Sequence, residues 1–455
     1  MIETVFRAIF RVCCLLLLFG FGSLASGTEC LVSSKVQPKP IRRPVVFNIP
    51  SGLIGYSVSN YEGWVFRQTE GWKRVALQVD EKNSDGSYVL EEGLPFTKGT
   101  DNGISDQNDE ISFRGRDLGE SFNGASSLKA APIDRFVAYQ AVHVCLGGEY
   151  RGSLMLGVSK KVDPWPFTPI YKFKTKQVDT YRYRYLFHRS HPMLLGNVWI
   201  VDRGKEQLAF SESVFAMPIR PNYWFLPNTE VSHADFVSEI ECWQNGPVRS
   251  IVAIGAKMSR FFSLFKLHLF SELIFYEDFF QIPTRIEMIF DAHKYLEFGS
   301  GLGYRIGFPE SNSWQVQTNL TQFPETVDYF QKDPKTGQQI VKKTAYDISP
   351  EGEYFASGSR GQNSFKIKVQ VEQKAAKLVP PPFIRVGTSD PSQTMKKTWP
   401  WVEGPLPNLS LFLDISQVSK GQYDFALDLM LSDQANDQFE DFKSLTISAR
   451  SVGPE

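Results

Sequence analysis

Five oxygen-bearing side chains crowd one short stretch of the chain. Asp101, Asp106, Asn108, Asp109 and Glu110 stand directly ahead of the strand-like run Ile111-Ser112-Phe113. Ca2+ takes about six to eight oxygen ligands, and carboxylates and side-chain amides at this density supply them. The loop is not an EF-hand, because counting from Asp101 puts Gly103 at a ligand position and Asp106 where the turn glycine belongs. The expectation is an irregular calcium site, set against a solvated turn in which Glu110 pairs with Arg114 along the strand. Asp80 and Glu81 close the preceding apolar run and Asp117 follows the next one. Strand pairing would bring these three towards one sheet edge, where two carboxylates at the right separation serve as acid and base in glycoside hydrolysis. Acids that cap turns at strand ends are the plainer alternative.

A second constellation is basic. In Tyr181-Arg182-Tyr183-Arg184-Tyr185-Leu186-Phe187-His188 the side chains alternate. A strand here puts Tyr181, Tyr183, Tyr185 and Phe187 on one face and Arg182, Arg184 and His188 on the other. Arginine forks bind carboxylates through two parallel hydrogen bonds, so this face suits an acidic sugar, with His188 or His191 as a base. A polyuronate lyase with Arg182, Arg184 and His188 as its candidate catalytic residues is one reading, and an outer face balanced by local acids is the other. Trp199, Trp224, Trp399 and Trp401 are candidate stacking platforms for a sugar ring, or ordinary core and rim residues. There is no Walker loop, dinucleotide fingerprint, nucleophile elbow or His-Glu-x-x-His, so no cofactor is implied beyond Ca2+. Gly299-Ser300-Gly301-Leu302-Gly303-Tyr304 reads as a tight turn between strands, since no helix follows it.

The elements that must position these residues read as β-structure. Phe (36) and Tyr (17) are abundant, and Gly (34) and Pro (27) punctuate short apolar runs, with little 3.6-residue periodicity. The fold class is therefore all-β, two or three β-sandwich domains with a large central one. Expected strands include Arg74–Val79, Glu110–Arg114, Arg135–Val144, Tyr181–Phe187, Val248–Ala256 and one long run over Phe261–Phe280. That run is rich in aromatics, but Lys266, His268, Glu272, Glu277 and Asp278 argue against a membrane span. A formal net charge of −1 gives no overall attraction to nucleic acid.

Residues 1–25 have the order of a signal peptide: Arg7 and Arg11, an apolar run, then Ser23-Leu24-Ala25. Cleavage after Ala25 leaves no integral membrane span and places the mature chain in the periplasm, on the outer surface or outside the cell. Residues 26–44, with three prolines, form a linker. The mature part then divides into an N-terminal sandwich over 45–160, a central sandwich over 161–375 and a C-terminal β segment over 376–455 that completes or flanks it. Cys30, Cys145 and Cys242 remain after cleavage, enough for one disulfide and one leftover thiol.

Two stretches resemble known groups. Val75-Ala76-Leu77-Gln78-Val79-Asp80-Glu81, taken with Asp106 to Phe113, is similar to the opening of a group of secreted bacterial proteins of unknown function. Asn245-Gly246-Pro247-Val248-Arg249, with the strands continuing past Leu296 to Gly301, resembles the supersandwich of galactose-mutarotase-like and polysaccharide-lyase-like proteins. The resemblance implies a glycan-related role at the level of fold. The expected function is a non-catalytic envelope or surface protein that binds a glycan or another envelope component, stabilised by calcium. A carbohydrate-active enzyme and a structural or assembly subunit of the envelope are the alternatives.

Overall fold

The computed structural model describes residues 41–450, apart from 85, 91, 94–101, 123–129, 163–171, 175, 203, 224, 226, 259–267, 289–290, 309–314, 319–320, 323–329, 333–338, 342–352, 361–362, 372–381, 388–389, 405–407 and 433–444. Residues 1–25, Cys30, Asp101 and Trp224 lie outside the described set.

The chain is mostly β, in several antiparallel sheets that form sandwich-like domains. Two large sheets make the centre. One runs through Tyr183–Phe187, Leu195–Asp202, Lys205–Ile219, Gly301–Gly307, Asn408–Asp414 and Phe383–Gly387. The other runs through Phe236–Asn245, Ser250–Met258, His268–Phe275, Phe279–Met288, Gly421–Ser432 and Asn363–Val371. Each contributes one face to a shared core: Tyr185, Phe210 and Leu409 from the first, Val252, Phe275 and Leu429 from the second. Tyr185 meets Phe275 and Phe280 edge-on, with centroids 4.9 and 5.1 Å apart. The period-two pattern that marked Tyr183, Tyr185 and Phe187 is therefore a burial pattern. Tyr181 does not join them; the strand begins at Tyr183, and Tyr181 is exposed.

The N-terminal part wraps a smaller core. Pro44–Asn48, Glu110–Arg114 and Leu77–Asp80 form a three-stranded sheet. It packs against a second sheet built on Phe136–Leu146 and Glu149–Ser159, through Val45, Phe113, Val144 and Leu154. Two connections tie this unit to the rest. Glu92–Gly93 leaves it to pair with Phe236–Asn245 at the edge of the central sheet. In the opposite direction, Leu445–Arg450 pairs with Phe136–Leu146. The C-terminal segment thus serves both units, for Asn408–Asp414 and Gly421–Ser432 complete the two central sheets.

Several expected strands have other bounds. The expected long run ending at Phe280 contains a hairpin, with strands His268–Phe275 and Phe279–Met288 joined through Tyr276, Glu277 and Asp278; its residues 261–267 lie outside the described set. Two adjacent carboxylates interrupt the apolar run at the turn. Arg74–Val79 divides at Ala76 into Gly71–Val75 and Leu77–Asp80. The glycine-rich stretch turns only at Gly299, where φ is 92°, and from Gly301 to Gly307 it is a strand in the middle of a sheet. Among the described residues no helix is long and apolar enough to cross a membrane. Cys145 is disulfide-bonded, and Cys242 is a buried free thiol.

Candidate functional site

The acidic loop meets a buried arginine. Asp80 and Glu110 sit directly opposite one another on paired strands. Two carboxylates so placed repel, and Arg249, from the Asn-Gly-Pro-Val-Arg segment, lies between them. Its Nε donates to Asp80 Oδ2 at 2.8 Å and its Nη2 to Glu110 Oε2 at 2.9 Å. Lys82 pairs with the other Glu110 oxygen, and the Tyr88 hydroxyl donates to Oε2 at 2.7 Å. Two acids and two bases thus form a neutral buried set. The Tyr88 ring lies between the bases, 4.6 Å from Lys82 Nζ and 5.0 Å from Arg249 Cζ. Gln78 Oε1 accepts from the backbone N–H groups of Val248 and Arg249, while its amide donates to Asp80 Oδ1 at 2.7 Å. A Cβ at Gly246 would strike the Gln78 amide, which accounts for the glycine in that segment.

This geometry engages two of the side chains expected to bind calcium, Glu110 and Asp109. Burial alone would raise the Glu110 carboxyl, but Lys82 and Arg249, with hydrogen bonds from Lys82 and Tyr88, outweigh it and hold it at about 2. Asp109 is buried, and its two oxygens accept from the backbone N–H groups of Lys82 and Asp106. Asp106 and Asn108 stay at the surface, with Asp106 Oδ1 accepting from Asn108 N at 2.6 Å. No group of three or more His, Cys, Asp and Glu side chains suited to a metal occurs among the described residues. Asp117 pairs with Arg114 at 2.6 Å, so the carboxylate that faces Asp80 is Glu110.

The basic strand is balanced by acids. Arg184 pairs with Asp179 at 3.0 Å and Glu206 at 2.8 Å, and Arg182 lies 3.6 Å from Asp278. Burial, reinforced by Glu277, raises Asp278 to about 7 against the pull of Arg182, Arg42 and Arg116. His188 follows the end of the strand, which closes at Phe187. Its ring stacks on His191 at 5.6 Å, and its Nδ1 accepts from the His191 and Ser190 backbone. Arg182 and Arg184 thus face acids, while His188 packs on His191.

The arrangement that sequence reasoning missed lies on the outer face of the first central sheet. Cross-strand register places Arg305, Ser410 and Arg385 in one row and Gly307, Asn408 and Gly387 in the next. A third row, Gly303, Phe412 and Phe383, is covered by Trp399 and Trp401, which are buried and so offer no stacking platform. In Gly301–Gly307 the outward positions are glycine except Arg305. This arginine is 8% exposed, and among the described residues its Nε and Nη1 have no hydrogen-bond acceptor. Ser410 Oγ beside it is likewise buried without a partner. Burial lowers the Arg305 pKa, and no carboxylate offsets it; for Arg385 burial is opposed by Asp390. Gly404, at φ 151°, passes over the guanidinium where a Cβ would run into Nη1. The period-two spacing of Gly301, Gly303, Arg305 and Gly307 was visible in the sequence and marks one cationic side chain on an otherwise bare strand face.

No family model matches the chain, and no curated protein matches it. Among solved structures it is similar to an alpha-mannosidase from Enterococcus faecalis V583, at 10% identity and a TM-score of 0.40 over 92% of this chain. It spans 45% of that protein's length. It is also similar to a putative aldose 1-epimerase from Escherichia coli K12, at 11% identity and a TM-score of 0.30, covering 57% of this chain and 99% of that one. The likeness is distant, and no activity is carried over from it.

Replacing Arg249 by Met leaves Asp80 and Glu110 facing one another without their shared cation. A loss of about 3–5 kcal/mol is expected on chemical denaturation, the cost typical of breaking a buried ion pair from one side. The sign of the pH dependence follows from Glu110. Its folded pKa lies below the ordinary value of 4.5, so the stability it contributes is present above pH 4.5 and is lost as pH falls towards 2. Melting curves between those values should show this loss, and Glu110→Gln should flatten it.

Proposed function

We propose that the protein is an exported, non-catalytic envelope protein that binds a glycan on the outer face of the Gly301–Gly307, Asn408–Asp414 and Phe383–Gly387 strands. The observation that carries this reading is Arg305, a buried guanidinium with two unused donor nitrogens, set in a row with Ser410 and Arg385. Buried polar groups are as a rule hydrogen-bonded, and one that is not calls for a partner outside the chain. The side chains in these two polar rows are hydrogen-bonding groups suited to holding a ligand: Arg305, Ser410, Arg385 and Asn408. Among them is no histidine or carboxylate to act as a general base. Export is supported by the leader-like residues 1–25 and by the disulfide at Cys145, since such bonds persist in oxidising compartments.

The test is binding of the chain from Ser26 onward to an array of neutral and acidic bacterial and plant glycans. Selective capture is expected, unchanged when Arg182 and Arg184 are both replaced by Ala, with no unsaturated product released. Release of such a product would replace this reading with the polyuronate lyase, and failure of the folded protein to capture any glycan would turn attention to protein partners in the envelope. Calcium enters only through Asp106 and Asn108, the acidic-loop side chains that remain at the surface. A chelator that lowers the melting temperature would add the ion to that loop, and an unchanged curve would remove it.

A further inference from the structure

We infer that Arg305 and Ser410 form the seat for an oxyanion on the bound molecule, so that the ligand is an acidic sugar. This deepens the glycan-binding reading and rests on it. Other arginines of the chain meet carboxylates: Arg249 has Asp80 and Glu110, Arg114 has Asp117, Arg116 has Glu277, and Arg184 has Asp179 and Glu206. Arg305 is also more than nine-tenths buried, yet among the described residues no acid offsets its charge and no acceptor meets its Nε and Nη1. Leaving charged donors in that condition is costly, more so than for neutral ones. A planar guanidinium presents parallel N–H groups that match two oxygens of a carboxylate, sulfate or phosphate.

The surroundings fit such a guest. Ser410 sits directly across from Arg305 on the neighbouring strand and supplies a hydroxyl that no described residue uses. One strand further, in the same row, Arg385 brings a second cation. On either side of Asn408 the paired residues are Gly307 and Gly387, and the Arg385 and Asn408 side chains lie against Gly387. Together these features describe a cationic, donor-rich row beside a wall of buried aromatics.

Glucuronate, a glucose sulfate ester, glucose 6-phosphate and glucose, titrated into the purified chain at equal ionic strength, separate the possible sources of the oxyanion. At least one of the acidic sugars is expected to bind ten-fold or more tightly than glucose. Arg305→Met should abolish the difference, and Arg305→Lys should restore only part of it, since an ammonium keeps the charge without the fork. Should Arg305→Met fail to fold, Ser410→Ala and the Arg305 Nε resonance of the unmodified protein give independent readouts: a several-fold weaker response, and a shift with acidic sugars that glucose does not produce. Equal responses to glucose and to all three acidic sugars would overturn the inference, as would an acidic-sugar response that survives in Arg305→Met. Capture of neutral glycans alone on the array would leave the glycan-binding reading standing while removing the oxyanion seat. An acidic-sugar response that depends on Arg305, in a chain the array fails to capture, would support the seat and count against the broader reading.

Discussion

A guanidinium buried to the last atom has no water to solvate it, and Arg249 is in that position. Its charge is tolerable only because Asp80 and Glu110 reach it from two paired strands of the N-terminal sheet. The same acids are held by Gln78, Lys82 and Tyr88, and Tyr276 adds its hydroxyl from the central sheet. Each of these groups would be an unsatisfied buried polar atom without the others, which is the condition under which polar networks fix a geometry. The relation between the small N-terminal sheet and the central one is set by this cluster. The apolar contacts of Tyr88, Leu90, Ile251 and Ile274 around it follow the same register.

Arg305 states the opposite case within the same molecule. Arg249 and Arg305 are each more than nine-tenths buried, and the first is enclosed by acids while the second, on a central strand, faces a hydroxyl and glycines. The chain neutralises the first by itself. For the second, the strand face that would hold a compensating side chain is glycine at 301, 303 and 307. Glycine weakens a strand, and its recurrence at alternate positions is explained here by close approach: Trp401 lies against Gly303 and Ser211 against Gly307.

Much of the architecture was legible in the sequence because burial in a sheet imprints a period of two. Tyr183, Tyr185 and Phe187 announced their core face, and Glu110–Arg114 was bounded as it stands. The long Lys205–Ile219 strand escaped notice because its buried positions do not alternate cleanly; a register shift between Ser211 and Ser213 breaks the phase. The functional constellations were harder. Acidic density at Asp106–Glu110 was plain, but whether a carboxylate meets a cation or a protein donor depends on Arg249, nearly 140 residues away. Arg182 and Arg184 looked convergent on paper, whereas their acids come from Asp278, Asp179 and Glu206. An unpaired arginine is a statement about absent neighbours, and the linear order of residues carries no such statement.

The pairing of Leu445–Arg450 with Phe136–Leu146 bears on how the molecule is made. The sheet built on Phe136–Leu146 leaves the ribosome with an open edge until, about 300 residues later, Leu445–Arg450 arrives. During that interval Phe136–Leu146 presents unpaired backbone groups beside an apolar surface, the kind of edge that recruits other chains. Completion of this early sheet by so late a strand also makes its formation wait on a long-range closure, which slows folding. Shortening the chain at its far end would therefore show its effect near the beginning.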